Sequence, residues 1–462
     1  MHFKLLSLPV AVVIAVSRLC HGALYQQLSD LPDIEFDCII AGGGTAGAVL
    51  ANRLSEVSRY QVLLIEAGPL DRGVLNIEVP YFASRRMGSP YDWNYTTVPQ
   101  PGLNGRTIPY PRGRVLGGSS SINLMFYTRG SASDYDRWAE VTGDPGWSWR
   151  RILPYFLKNE RWVAPADGHN TVGQFDPTVH GRDGMTMVSL PSYNQTATDG
   201  RTIEATKQLG PEFKFNLDMN SGNPLGVELQ AQALEQWLQN KTGPMTTPGI
   251  NQVFWLRIPN DSPLWKVYPD PAPGRRSPHI ELAMTNSAGF SGLVGRFVTL
   301  MMIIPYPLSR GSLTLTSSNP LTPPLINPNF SSSPFDARAM LVAIRSTQKF
   351  LSAPAWKGYV LEHAWPFTEE IITQEGEEGD DAILAILRNI TWTGQHPVGT
   401  LAMSAKDAGY GVVDPDLRVK GVVGLRVVDA SVMPYIPAAH TRAPVYAIAE
   451  RASDLIKAAW GS

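Results

Sequence analysis

The segment that most constrains the fold is Gly42-Gly43-Gly44-Thr45-Ala46-Gly47, a G-x-G-x-x-G run. It follows Ile34 to Ala41, an apolar stretch that reads as a strand. Ala48 to Ser55 reads as a helix, with Val49, Leu50 and Leu54 among its apolar positions. Gln61 to Glu66 reads as the next strand and ends in an acid 19 residues after Gly47. Gly42 permits a tight turn, Gly44 lets the backbone approach a pyrophosphate, and Gly47 lets helix and strand pack closely. The free N–H groups that open the helix, at Thr45 and Ala46, attract the anion. Glu66 is placed to accept hydrogen bonds from adenosine ribose hydroxyls. Together these parts predict a Rossmann-like dinucleotide-binding unit and an α/β class. The motif does not distinguish a nicotinamide from a flavin.

A second segment does, by resemblance. Gly113 to Asp136 reads GRVLGGSSSINLMFYTRGSASDYD and resembles the first signature of the glucose–methanol–choline (GMC) flavoprotein oxidoreductases. Gly117-Gly118 lets the backbone pass close to a flat ring. At the carboxyl end, His396-Pro397-Val398-Gly399-Thr400 and Pro437-Ala438-Ala439-His440-Thr441 resemble the family's two active-site segments. Gly424 to Ser431 resembles its last strand, and Pro444 to Lys457 reads as a helix that the resemblance places with its N-terminus toward the flavin. Similarity to fungal aryl-alcohol oxidases and pyranose dehydrogenases extends through Asn94-Tyr95-Thr96-Thr97, Pro111-Arg112-Gly113-Arg114 and Phe215-Asn216-Leu217-Asp218-Met219.

The resemblance implies FAD as cofactor. It adds Val115, Gly118, Asn123, Leu124, Met125, Phe126, Ala430 and Thr441 to Gly42, Gly44, Thr45, Ala46, Gly47 and Glu66 as cofactor-binding residues. It implies an alcohol oxidised by hydride transfer, with oxygen or a quinone-type acceptor reoxidising the flavin. A base must take the hydroxyl proton, and imidazole titrates near the working pH. By resemblance His396 is that base and His440 holds the substrate oxygen. His169, His180, His279 and His363 lack a motif and read as surface or loop residues. No histidine spacing suggests a metal.

Three departures matter. Some relatives carry a histidine before the flavin-loop asparagine that bonds covalently to flavin; Ile122 stands here, so the FAD is expected to be non-covalent. Leu124 and Gln395 occupy positions where aryl-alcohol oxidases carry aromatic residues, and a polar Gln395 suits a hydroxyl-rich substrate. Finally, the family's second signature is missing; Ser291-Gly292-Leu293-Val294-Gly295 has the wrong spacing. The family pattern stops at Asn223-Pro224-Leu225-Gly226 and resumes near Gln236 to Pro244, with on the order of a hundred residues missing between. The lost part would have supplied sheet strands and contacts to the adenosine half of FAD, so its loss is expected to expose sheet edges and apolar faces.

The resulting architecture is a Rossmann-like FAD-binding domain (23–161 and 391–462) interleaved with a substrate domain (162–390) built on an antiparallel sheet, with the apparent deletion near 226–231. Ser312 to Thr316 alternates as a strand, and Glu369 to Asp381 reads as a solvated acidic stretch or helix start. Residues 1–22 read as a signal peptide: Lys4, an apolar run from Leu5 to Val16, then Cys20-His21-Gly22. Asn94, Asn194, Asn240, Asn260, Asn329 and Asn389 fit glycosylation sequons. Both features imply a secreted, extracellular protein. No later window suggests a membrane span. A net charge of −2 gives no reason to expect nucleic acid. Two cysteines exclude a disulfide scaffold, and Cys38 reads as an inert core residue. Three readings stand: an active flavin alcohol oxidoreductase, a shortened isoform or gene model that cannot retain FAD, and a nicotinamide dehydrogenase, against which the second motif and both histidines argue.

Overall fold

The computed structural model describes residues 22–191, 197–229, 249–288, 293, 295–319, 321–364, 366–374 and 376–461. The signal-peptide run, Asn194, Asn240, the join near 230–248 and Ser291-Gly292 lie outside them.

The regular strands and helices begin with β1 (Cys38–Ala41), α1 (Thr45–Ser55) and β2 (Val62–Ile65), and the two strands pair in parallel. The strand–glycine–helix–strand unit expected from the sequence is therefore present. After it come α2 (Ala132–Thr142), α3 (Trp149–Asn159), β3 (Glu160–Trp162) and β4 (Thr186–Val188), the last two parallel. A four-stranded antiparallel sheet follows in sequential order: β5 (Gly226–Leu229), β6 (Ile250–Leu256), β7 (Ile280–Thr285) and β8 (Thr299–Ile303). β9 (Ser312–Thr314) pairs antiparallel with β10 (Leu325–Asn327). The chain ends through α4 (Pro334–Leu351), α5 (Gly376–Ile390) and α6 (Arg442–Ala459).

Two large cores result. The first joins the inner face of β1 to α1, α2, α3 and α6, through Ile40, Leu50, Leu54, Trp138, Phe156 and Ile448. The second packs the antiparallel sheet on α4, with Phe254, Leu256, Leu282 and Met284 against Phe335 and Phe350. Strand alternation turns Val253, Trp255 and Ala283 to the opposite face, where they meet Phe126 and Ala438. On that second side Trp255, Glu281 and Ala283 line a large cavity.

Several expectations are corrected. Gly424 to Ser431 forms no regular strand; Arg426 makes a single bridge to Arg418, and Ala430–Val432 is a short 3-10 helix. Lone bridges cannot build a ladder. The strand at 312–316 is shorter than expected, and Leu313 and Leu315 are exposed because β9 and β10 form an isolated pair. Cys38 is only half-buried, and burial raises its thiol pKa. His180 and His279 lie in loops, as expected, but are buried rather than on the surface. His180 sits between Glu160 and Asp218, 2.8 Å from Asp218, while Glu160 also grips Arg129. His279 donates to Asp270 at 2.7 Å and accepts from the Ile258 N–H. Isolated motif-free histidines gave no sign of these distant carboxylate partners.

Candidate active site

The two glycine loops interlock. The Gly117 N–H donates to the Gly43 carbonyl at 2.7 Å. Gly118, at φ +56°, lies so close to Gly44 that a Cβ would stand 2.8 Å from the Gly44 Cα. A Cβ on Gly47 would be 1.9 Å from the Gly42 carbonyl oxygen, which confirms the close helix–strand approach its position implied. Gly42 itself has φ +100°, a turn that only glycine adopts readily. Thr45 Oγ1 and Ser120 Oγ are 2.6 Å apart, tying the loops together on their polar side. Gly44 caps α1 with no side-chain hydrogen bond, so the helix opens on backbone alone.

Both loops border a cavity of about 2770 Å³, far larger than the ~300–1,000 Å³ of an ordinary ligand pocket. Gly42, Gly44, Thr45, Ala46, Gly47, Glu66, Gly118, Asn123, Leu124, Met125, Phe126, Ala430 and Thr441 all line it, as do His396 and His440. Val115 is the exception: it is fully buried behind the loop. The Asn123 side chain accepts the Met125 N–H at 2.8 Å, which holds Met125 at φ +60°. Buried Arg86 pins the same loop by donating to the Asn123 carbonyl at 3.0 Å; burial lowers its pKa to about 10. Glu66 accepts from the N–H groups of Gly43 and Gly68 at 2.8 and 2.7 Å.

The histidine rings lie 4.9 Å apart, centroid to centroid. The backbone N–H of His440 donates to Thr128 Oγ1 at 2.8 Å, and its ring lies 4.4 Å from that of Phe126. Its Nε2 is 2.7 Å from Glu281 Oε1. Glu281 is buried on β7, opposite Trp255 in the register, and Trp255 also faces His440. His396 follows Gln395, whose φ is +60°. Burial, then the nearby His440 and Arg112, hold its pKa well below the usual histidine value. His396 is therefore neutral near pH 7, the state a proton acceptor needs. Thr441 caps α6 without a side-chain bond, leaving that helix N-terminus on the cavity wall; Pro444 falls within its first turn.

Sequence reading missed Glu281, Thr128 and Arg86. Glu281 had one available signal: it is the only charge in Ile280–Thr285, a strand whose every residue is buried. Thr128 and Arg86 had none, because their partners are remote in sequence.

Two side-chain-free glycine loops in backbone contact, bordering the cavity beside two helix N-termini without side-chain caps, fit a flat ring joined to a phosphate. The comparisons agree. The amino- and carboxyl-terminal models of the GMC oxidoreductases match residues 36–245 and 307–449. The dehydrogenase eriK of Hericium erinaceus is 32% identical, the alignment covering 97% of this chain and 98% of that one. Pyranose dehydrogenase 3 of Leucoagaricus meleagris is also 32% identical, covering 97% of each. A solved fungal aryl-alcohol oxidase superposes with a TM-score of 0.75 at 21% identity, over 94% of this chain and 100% of that one. The chain belongs to the GMC oxidoreductase family, whose members are FAD-dependent oxidoreductases. The first alignment spans 594 positions against the 462 residues here, so that relative has a long stretch without a counterpart. Among the described residues no helix is long and apolar enough to cross a membrane, and no cluster could hold a metal ion.

Proposed function

We propose that the chain oxidises an alcohol, an aryl alcohol or a sugar hydroxyl, with His396 as the base. Bound FAD supplies the hydride acceptor, held by the residues of the two glycine loops, Asn123 to Phe126, Ala430 and Thr441. Neutral His396 takes the hydroxyl proton. His440 holds the substrate oxygen, and Glu281 holds the His440 ring. The observation that carries this reading is the 4.9 Å pairing of His396 with His440 on the wall of the same cavity that the glycine loops border. Half-buried Gln395 beside the base favours a hydroxyl-rich substrate, with oxygen or a quinone-type compound as final acceptor. Ile122 supports non-covalent FAD. The division at 161 and 390 follows the two large cores. Secretion is supported by the leader-like residues 1–22 and by the exposed sequon asparagines Asn94, Asn260 and Asn389.

The test is the visible spectrum of the expressed chain. Flavin bands that an aryl alcohol or a sugar bleaches support the proposal, and a peroxide assay then separates oxidase from dehydrogenase. Bands that no alcohol bleaches refute it. A second reading, a shortened isoform unable to retain FAD, is favoured by the open outer face of β1 and β2, where Ile39 and Ile65 are exposed. A colourless, aggregated product supports that second reading.

A further inference from the structure

At what would be the phosphate and ring end of the site, the two glycine loops touch each other backbone to backbone at Gly44 and Gly118. The adenosine end is built differently. Both carboxylate oxygens of Glu66 already accept backbone N–H groups. Beyond Glu66 the chain passes through Ala67, Pro69 and Leu70, all exposed. Among the described residues β2 has one strand neighbour, β1. Their shared outer face leaves Ile39 62% and Ile65 45% exposed. Ile39, Ile65 and Ala67 line the same broad cavity and stay exposed there, so an adenine leaving the end of β2 rests on one exposed strand pair. Its tight binding depends on burial between two walls, because the apolar area removed from water supplies the driving force.

We propose that this chain reads only the flavin and its proximal phosphate, so that flavin mononucleotide (FMN) is held about as tightly as FAD. The phosphate monoester carries nearly two negative charges at neutral pH and suits the N-terminus of α1 as a pyrophosphate does. The proposal rests on the flavin site of the preceding section but not on its oxidation chemistry.

The full chain, stripped of flavin and checked for cooperative thermal unfolding, is titrated with FAD and with FMN by quenching of flavin fluorescence. ADP is added as competitor. The expected dissociation constants of FAD and FMN agree within about tenfold, and Glu66→Gln, whose amide can accept only one of the two backbone N–H groups, shifts both by a similar factor. ADP leaves bound flavin in place. FAD binding tighter than FMN by about a hundredfold or more overturns the proposal. So does displacement by ADP, a selective loss of FAD affinity in Glu66→Gln, or failure to bind either flavin. The outcomes separate the two proposals. Near-equal binding of flavins that no alcohol bleaches refutes the oxidation and leaves this inference standing. Bleaching with a strong FAD preference does the reverse.

Discussion

Replacing Glu281 tests whether the substrate sheet tunes the histidine pair. His440 is fixed twice: its backbone N–H bonds Thr128, while its ring bonds Glu281 at 2.7 Å. Changing Glu281 therefore frees the ring without moving the backbone. A hydrogen bond to a charged group is worth about 1.5–3 kcal/mol net. At about 1.4 kcal/mol per tenfold in rate, complete loss corresponds to roughly 10- to 150-fold. Glu281→Leu removes the acceptor and should slow flavin reduction by that range. Glu281→Gln keeps a neutral acceptor, about half as strong, and should slow it roughly three- to twelvefold. Anaerobic stopped-flow bleaching against alcohol concentration separates the limiting rate from half-saturation. The limiting rate should fall, with half-saturation, flavin content and melting temperature little changed. Unchanged limiting rates in both variants, or effects confined to half-saturation, would refute the assigned role.

Three further outcomes are expected. His396→Ala should slow flavin bleaching by about 10²- to 10⁴-fold while bound flavin is retained; unchanged turnover removes His396 as base. Acid precipitation should release the flavin into the supernatant, since Ile122 offers no bond, and colour retained by the pellet would contradict that. Stability should decline on both sides of neutrality. Burial lowers the pKa of His396, so acidification below the ordinary histidine value of about 6.5 costs stability. Burial works against the charge on His180, but the bonds to Asp218 and Glu160 win and its pKa is raised. Its contribution is full below about 6.5 and is lost as pH rises through the folded value. Thermal melts across pH check this, and His180→Gln should abolish the alkaline decline alone.

The cofactor loops were the most legible part of the chain. Gly42, Gly44 and Gly47 obey a local rule: Gly42 is required by its positive φ and Gly47 by its approach to the Gly42 carbonyl, while Gly44 abuts Gly118 of the next loop. His396 and His440 were legible only because their segments resemble a known pattern. Glu160, His180 and Asp218 were not legible, because three short polar segments meet only after α3 and β3 are packed. Gly424 to Ser431 resembles the family's last strand but forms none, because likeness in sequence does not reveal whether a partner strand is available.

The sequence alone determined the dinucleotide unit, the family and the identity of both histidines, because these depend on residues adjacent in the chain. Only the tertiary structure decided that the histidines meet 4.9 Å apart, that β7 supplies the carboxylate behind one of them, and that one face of β1 and β2 stands open. Those are matters of which surfaces remain in contact once the whole chain has folded, and they depend on packing between segments that no local pattern encodes.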